Sequence, residues 1–127
     1  RTSIEKEVIK KLTNMITDNQ IEELKAICEQ QAQAMHNDND AEFINLDQQF
    51  HFSLTRFANY FLIEEVLSNL YELTQLIGLQ AVKKKNRKNE VMEEHLAIIN
   101  ALEARDAEQA AHWMVMHLKN TKDSIKL

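Results

Sequence analysis

The 127-residue chain contains no proline, one glycine (Gly78) and one cysteine (Cys28). A sheet protein of this size needs many tight turns, and tight turns usually recruit glycine and proline. The near absence of both residues therefore favours an all-α fold. A single thiol excludes an internal disulfide, and a lone cysteine suits a reducing, cytoplasmic compartment.

The sequence also lacks the features of a membrane protein, a secreted protein or a nucleic-acid-binding protein. No apolar run approaches the roughly 20 residues that a membrane span requires, and no secretory signal is visible. The net charge of −5 argues against nucleic-acid binding through the overall field of the chain. We therefore expect one cytoplasmic domain over residues 1–127 that buries a single core and contacts neither membrane nor DNA by itself.

The spacing of apolar residues predicts about six helices. They cover about residues 2–16, 20–36, 41–58, 59–82 and 89–104, and the sixth runs from Asp106 to about residue 124. The segment Thr17-Asp18-Asn19 is expected to provide the N-cap of the second helix, Asn59 that of the fourth and Asp106 that of the sixth. The fourth helix has a wide apolar face and is expected at the centre of the bundle. That face consists of Leu62, Val66, Leu70, Leu73 and Ile77.

Asp47 and His51 stand four positions apart, so a helix places them one above the other on the same face. The apolar stripe of that helix is formed by Phe43, Leu46, Phe50, Leu54 and Phe57, which recur at helical spacing. The pair is therefore expected at the inner margin of the stripe. There a carboxylate and an imidazole can reach the same metal ion.

His95 and His117 are expected to face inward on the two last helices. His95 shares the phase of Val91 and Ile98, and His117 shares the phase of Met114. A single inward histidine is usually a core residue whose ring nitrogens are hydrogen-bonded. Two of them beside an inward aspartate–histidine pair indicate instead a metal centre.

Imidazole nitrogens and a carboxylate suit a divalent transition metal, with zinc or nickel preferred. Three histidines and one aspartate can close a tetrahedral zinc site or leave two positions open on an octahedral nickel, zinc or manganese ion. The ligands carry one negative charge against two positive charges on the metal. A small carboxylate would therefore be attracted to any open position.

Metalloenzymes are one alternative. A carboxylate-bridged di-iron bundle requires Glu-x-x-His pairs, and no histidine here has a glutamate three residues before it. A mononuclear hydrolase stays open, although no His-Glu-x-x-His motif supports it. A phosphotransfer bundle is another alternative, for which His117-Leu118-Lys119-Asn120 is a weak match. The predicted inward position of His117 argues against that role.

Several sequence segments occur together in an order that is typical of one family. They are Arg1-Thr2-Ser3-Ile4-Glu5, Asp47-x-x-x-His51-Phe52, Asn59, Glu94-His95-Leu96-Ala97-Ile98-Ile99-Asn100-Ala101-Leu102, Arg105-Asp106-Ala107-Glu108-Gln109-Ala110 and His117-Leu118. Over essentially its whole length the chain resembles the FCD domain. This is the C-terminal effector-binding and dimerisation domain of GntR-type bacterial transcription regulators of the FadR subfamily.

The resemblance implies an antiparallel helical bundle with a central cavity, working as a non-enzymatic sensor and a homodimer. It also implies a divalent metal held by Asp47, His51, His95 and His117. The effector would be a small organic acid, bound at the metal and assisted by Arg1. The family carries an N-terminal winged helix-turn-helix, which these residues do not contain. Because the chain begins at Arg1 already in helical register, we expect that part of the parent protein to lie upstream and to make the DNA contacts.

Overall fold

A computed structural model of the protein describes residues 2–125, with side chains from Ile4 onward. These residues form seven α-helices and no strand. The helices are α1 (Thr2–Thr13), α2 (Asp18–His36), α3 (Asp40–Phe57), α4 (Phe61–Asn69), α5 (Tyr71–Ala81), α6 (Arg87–Glu103) and α7 (Ala107–Ser124). The predicted all-α bundle is confirmed, with seven helices in place of six.

Short polar segments start the helices by satisfying free backbone N–H groups. Thr17 forms a capping box with Gln20, because its hydroxyl accepts from the Gln20 N–H and the Gln20 side chain accepts from the Thr17 N–H. The Asp106 carboxylate accepts from the backbone N–H of Gln109 at the start of α7. Within the predicted segment Thr17-Asp18-Asn19 the cap is Thr17, and the predicted cap at Asp106 is confirmed.

The predicted cap at Asn59 is wrong. Asn59 has φ of 63°, a left-handed conformation that asparagine tolerates better than most residues. It closes α3, since its N–H donates to the Arg56 carbonyl and the next N–H, that of Tyr60, donates to the Thr55 carbonyl. Tyr60 precedes α4 without any side-chain cap. The polar residue thus ends one helix instead of starting the next.

The single fourth helix predicted over residues 59–82 is also wrong. It is divided into α4 and α5 at Leu70, whose backbone lies at φ −100° and ψ 8°. No proline or glycine causes this break. The Thr74 hydroxyl donates to the Leu70 carbonyl at 3.1 Å, and Gly78 lets α5 approach Ile44 of α3 closely. Beyond the break, α5 therefore packs closely on α3.

The apolar face expected at the centre of the bundle lies outside. Its members are 38% to 79% exposed: Leu62 79%, Val66 55%, Leu70 43%, Leu73 55% and Ile77 38%. We call this set, together with the exposed Leu76, the α4–α5 apolar face. Periodicity shows that such a face needs a cover but not whether the cover comes from the same chain.

The main core lies between α1, α2, α3, α6 and α7. The short connection between α6 and α7 makes them antiparallel neighbours, and each packs against a further helix, α2 and α1 respectively. Unusually many polar side chains lie within this core: Glu5, Gln31, His51, Arg87, Glu94, His95 and His117 are all buried. None of the helices in residues 2–125 combines the length and apolar content that a membrane span requires.

Candidate metal centre

Four residues predicted as ligands converge from three helices. Asp47 and His51 come from α3, His95 from α6 and His117 from α7, and one donor atom of each lies within 4.8 Å of the others. Asp47 Oδ1 is 2.9 Å from His95 Nε2. The same oxygen is 3.8 Å from His51 Nε2 and 3.8 Å from His117 Nε2.

These separations fit a transition metal. Ligand bonds of about 2.0–2.1 Å place neighbouring donors about 2.9 Å apart at an octahedral metal and about 3.4 Å apart at a tetrahedral one. The chemistry of the donors fits as well, because imidazole nitrogens and a carboxylate are common ligands of zinc and nickel. Among the described residues, neither Asp47 Oδ1 nor His95 Nε2 has a hydrogen-bond partner of good geometry. A cation would satisfy both buried atoms.

The orientation of the His95 ring is determined by Gln31 of α2. The Gln31 amide nitrogen donates to the Phe43 carbonyl at 3.3 Å, so its oxygen faces His95 Nδ1 at 3.0 Å. That oxygen can only accept, so Nδ1 must carry the proton. In the neutral ring, Nε2 then presents a lone pair to the centre. Phe50 stacks on the ring with centroids 4.0 Å apart and holds its plane.

Carboxylates face the Nδ1 atoms of the other two histidines. His117 Nδ1 is 2.6 Å from Glu94 Oε1, and His51 Nδ1 is 3.5 Å from Glu5 Oε2. Burial alone would raise the pKa of Glu94, but hydrogen bonds from His117, Arg87 and Asn120 outweigh it and lower this pKa to about 2. Glu94 is therefore ionised at neutral pH and acts only as an acceptor.

In the neutral rings of His95 and His117, Nε2 therefore points to the centre without a proton. His51 does the same when its proton lies on Nδ1, the nitrogen that faces Glu5. His51 Nε2 and His117 Nε2 lie only 3.2 Å apart. At that distance the two rings share one hydrogen bond if one Nε2 carries a proton, and both can bind the same cation if neither does.

The electrostatics of the centre keep the ligands in their binding forms. Burial opposes the charged form of Asp47, but contacts with the three histidines outweigh it and hold the pKa of this carboxyl below its usual range. Burial lowers the pKa of His95 to about 4, with Asp47 partly opposing the shift. At neutral pH the aspartate is charged and His95 is neutral, as metal binding requires.

One side of the centre opens into a small cavity of about 70 Å³. The Asp47 side chain keeps 22% of its surface exposed on this side, while the histidines are buried. The cavity is lined by Asp47, Gln48, His51, Phe52, Leu67, Thr74, Ile77, Gly78, His117, Leu118 and Thr121. A molecule in this cavity would touch the metal position at one end and apolar side chains of α4 and α5 at the other.

Arg1, predicted to bind the effector, lies outside the described residues. His36 and His112 are exposed and do not join the cluster. Cys28 is half-buried; burial, with Asp47 adding to it, raises the pKa of the thiol to about 11, so it stays protonated at neutral pH.

Sequence reasoning missed the residues that support the ligands, namely Glu5, Gln31, Arg87 and Glu94. A signal for them was present. Glu94 lies in the helical phase of the apolar residues Val91 and Ile98, as His95 does, and a charged residue in that phase is a candidate for a buried, paired group. Periodicity alone does not identify its partner.

The FCD domain family model matches residues 1–120 of this chain. Two curated relatives are similar to it. The HTH-type transcriptional repressor RspR of Escherichia coli (strain K12) is 27% identical over 126 residues, which cover 99% of this chain and 55% of that protein. An uncharacterized HTH-type transcriptional regulator, YdfH of Shigella flexneri, matches to the same extent. The chain thus spans about half the length of these relatives.

The fold is also similar to that of a solved structure, Streptococcus agalactiae GntR. The TM-score is 0.83 at 23% sequence identity, and the match covers 98% of this chain and 55% of the other. At this identity the likeness bears on the fold alone. The family match extends over nearly all residues, and the relatives share the regulator class. The chain belongs to the FCD domain family, the regulatory domain of GntR-type transcription regulators.

Proposed function

We propose that residues 1–127 are the effector-binding and dimerisation domain of a cytoplasmic GntR-type regulator that holds a divalent transition metal. Its ligands would be Asp47, His51, His95 and His117, and zinc or nickel suits them best. The observation that carries this proposal is the convergence of three buried Nε2 atoms, two of them 3.2 Å apart, on a buried carboxylate oxygen. When bound, the metal would supply positive charge that attracts an anionic ligand.

The effector would be a small carboxylate that occupies the cavity beside Asp47. The cavity is small, with a volume of about 70 Å³, so a compact carboxylate suits it. Gln48, Thr74 and Thr121 line the cavity, but their polar groups are already hydrogen-bonded within the protein. The charge of the ligand would therefore be recognised by the metal, with Arg1 as a proposed further contact.

A second copy of the chain is the proposed cover of the α4–α5 apolar face. Exposed apolar patches of several hundred Å² usually mark interaction sites. In a two-fold dimer the same patch of each subunit meets its copy. An apolar face without strong charge can make this contact, because no like charges are brought together. Leu70, Leu73 and Leu76 would be central to such an interface. DNA would be bound only by an N-terminal winged helix-turn-helix of the parent protein, as the names of the HTH-type relatives suggest.

The proposed mechanism is a population shift. Helices α4 and α5 contribute Leu67, Thr74, Ile77 and Gly78 to the cavity wall, and the same two helices present the apolar face outside. A ligand that prefers one position of this wall would therefore favour one dimer geometry. In the parent protein that preference would change the relative position of the two DNA-binding domains.

The test is the metal content of purified protein, measured by elemental mass spectrometry. We expect about one transition-metal ion per chain in the native protein, a large loss in His117→Ala and no loss in the control His112→Ala, whose histidine is exposed. Equal metal content in all three would refute the site. A screen of small carboxylic acids by thermal shift on the loaded protein would then identify the effector class.

We also propose that the domain is not an enzyme. The two buried carboxylates beside the centre, Glu5 and Glu94, both face Nδ1 atoms of ligand histidines, where they support the ligands. Turnover of simple esters by the metal-loaded domain would contradict this and favour a mononuclear hydrolase.

A further inference from the structure

Glu94 is the acceptor for four separate hydrogen-bond donors. Its Oε1 atom accepts from Arg87 Nη2 at 2.9 Å and faces His117 Nδ1 at 2.6 Å. Its Oε2 atom accepts from Arg87 Nη1 at 2.9 Å and from Asn120 Nδ2 at 2.8 Å. The carboxylate is buried, and its two oxygens are shared by donors from both α6 and α7.

Arg87 is the group that holds this carboxylate in place. The side chain is fully buried and binds Glu94 with both terminal nitrogens, the fork geometry that arginine makes with a carboxylate. Its Nη2 also donates to the Thr121 hydroxyl at 2.7 Å and to the His117 carbonyl at 3.3 Å. Arg87 therefore connects the start of α6 to the same turn of α7 that carries His117.

We propose that Glu94, held by Arg87, is a positioning residue for the metal centre: it keeps the proton of His117 on Nδ1 and directs Nε2 at the metal. The proposal rests on the metal site proposed above, and it deepens that site by naming what determines the binding form of one ligand. Outer partners of this kind orient a histidine and raise its basicity toward the metal, and their loss typically costs about 10–100-fold in affinity.

Under this proposal, the proton of His117 stays on Nδ1 because Glu94 is negatively charged, and a neutral side chain of the same shape would not hold it there. A glutamine of the same size has one acceptor oxygen and one NH₂ group. Arg87 and Asn120 present three N–H donors to the carboxylate, so the amide oxygen of a glutamine would turn toward them. Its NH₂ group would then face His117 Nδ1. That nitrogen would have to accept, and the His117 proton would move to Nε2, where it blocks the metal.

The test compares Glu94→Gln with Glu90→Gln. Glu90 lies one turn earlier on α6 and accepts from Arg87 Nη1 at 3.3 Å, but it is exposed and is not among the partners of His117. The control thus removes the same charge from the same helix and the same arginine. Folding of both variants is verified by circular dichroism and thermal unfolding in the presence of chelator.

The first readout is the tautomer of His117 in metal-free protein. It is measured by long-range proton–nitrogen correlation at about pH 8, where an ordinary imidazole is neutral. We expect the proton on Nδ1 in the native protein and in Glu90→Gln, and on Nε2 in Glu94→Gln. A merely structural role would leave the tautomer unchanged. Nδ1 protonation retained in Glu94→Gln would overturn the proposal, as would Nε2 protonation in the native protein.

The second readout is zinc affinity, measured by competition with a chromophoric chelator. We expect Glu94→Gln to bind zinc about 10–100-fold more weakly than the native protein and Glu90→Gln to bind within a few-fold. Equal losses in the two variants would overturn the proposal, because they would reflect charge alone. Absence of zinc binding by the native protein would refute the metal site itself, whereas the tautomer measurement would still test the role of Glu94. If Glu94→Gln does not fold, the tautomer of His117 in the native protein tests the proposal: a proton on Nδ1 supports it and a proton on Nε2 overturns it.

Discussion

Two regions of this domain depart from the usual distribution of residues, in opposite directions. The centre of the bundle contains charged and polar side chains where apolar ones are expected, among them Arg87 and His95, both fully buried. The α4–α5 apolar face exposes large apolar residues, with Leu62 at 79%. Monomeric proteins rarely maintain either feature without a reason.

The two regions differ in which groups contact their unusual residues. At the centre, α1, α2, α3, α6 and α7 of one chain supply the four candidate ligands and the groups that face their outer atoms. The α4–α5 apolar face stays exposed in the described part of the chain, and its proposed cover is a second copy of the chain. Under the proposed function, an ion completes the buried polar cluster and a protein partner covers the exposed apolar face.

The largest effect is expected at the centre, from Arg87→Met. This variant removes the partner of a buried carboxylate, and breaking a buried ion pair on one side costs about 3–5 kcal/mol. We expect that decrease in the free energy of unfolding, measured by urea titration. The control Arg56→Met removes an arginine whose side chain is 58% exposed in its pair with Glu64, so a change of at most about 1 kcal/mol is expected. Similar decreases in the free energy of unfolding of the two variants would contradict the greater importance of the buried ion pair.

A pH effect on stability is also expected at the centre. Burial lowers the pKa of His95 to about 4, whereas in the unfolded chain it is about 6.5. Between these values the unfolded state binds more protons than the folded state. The stability of the metal-free domain should therefore be complete above about pH 6.5 and decrease as the pH falls toward 4. Urea unfolding in chelator at several pH values measures this, and His95→Leu should reduce the dependence in this range.

A smaller effect is expected where α5 meets α3, between the two regions. A Cβ atom at Gly78 would lie 2.7 Å from Ile44 Cγ2. In Gly78→Ala, overpacking costs about 1–3 kcal/mol and the gain in helix propensity is about 1 kcal/mol, so a net loss of about 1 kcal/mol is expected. Thermal unfolding measures it, with Gln80→Ala on the exposed side of α5 as control. A more stable Gly78→Ala would show that the contact with α3 can relax.

The smallest effect on folding, but a large effect on assembly, is expected from Leu73→Ser. Leu73 is 55% exposed, so the free energy of unfolding of the separated subunit should change by no more than about 0.5 kcal/mol. If a second copy covers this face, sedimentation equilibrium should show a shift from dimer toward monomer. The control Leu96→Ser changes a leucine of α6 that is 53% exposed. Equal dimerisation of both variants would place the interface elsewhere.

Much of the fold followed from local pattern. Helical spacing of apolar residues located the helices, and Thr17 and Asp106 marked helix starts, because capping depends on a few neighbouring residues. The three errors concern the same part of the chain: the cap at Asn59, the unbroken helix across Leu70 and the central position expected for its apolar face. Asn59 can cap a helix or take a left-handed conformation, and only the packing of α4 and α5 against α3 decides which.

The inward phase of Asp47, His51, His95 and His117 was determined by the sequence itself, since 3.6 residues per turn relates each to its own apolar stripe. Only the tertiary structure decided that Gln31, Glu94 and Glu5 meet the Nδ1 atoms of these histidines, and that α4 and α5 present an apolar face outward. These contacts join helices far apart in the chain. Local periodicity specifies which side of a helix is buried, whereas the partner on that side depends on how the helices pack.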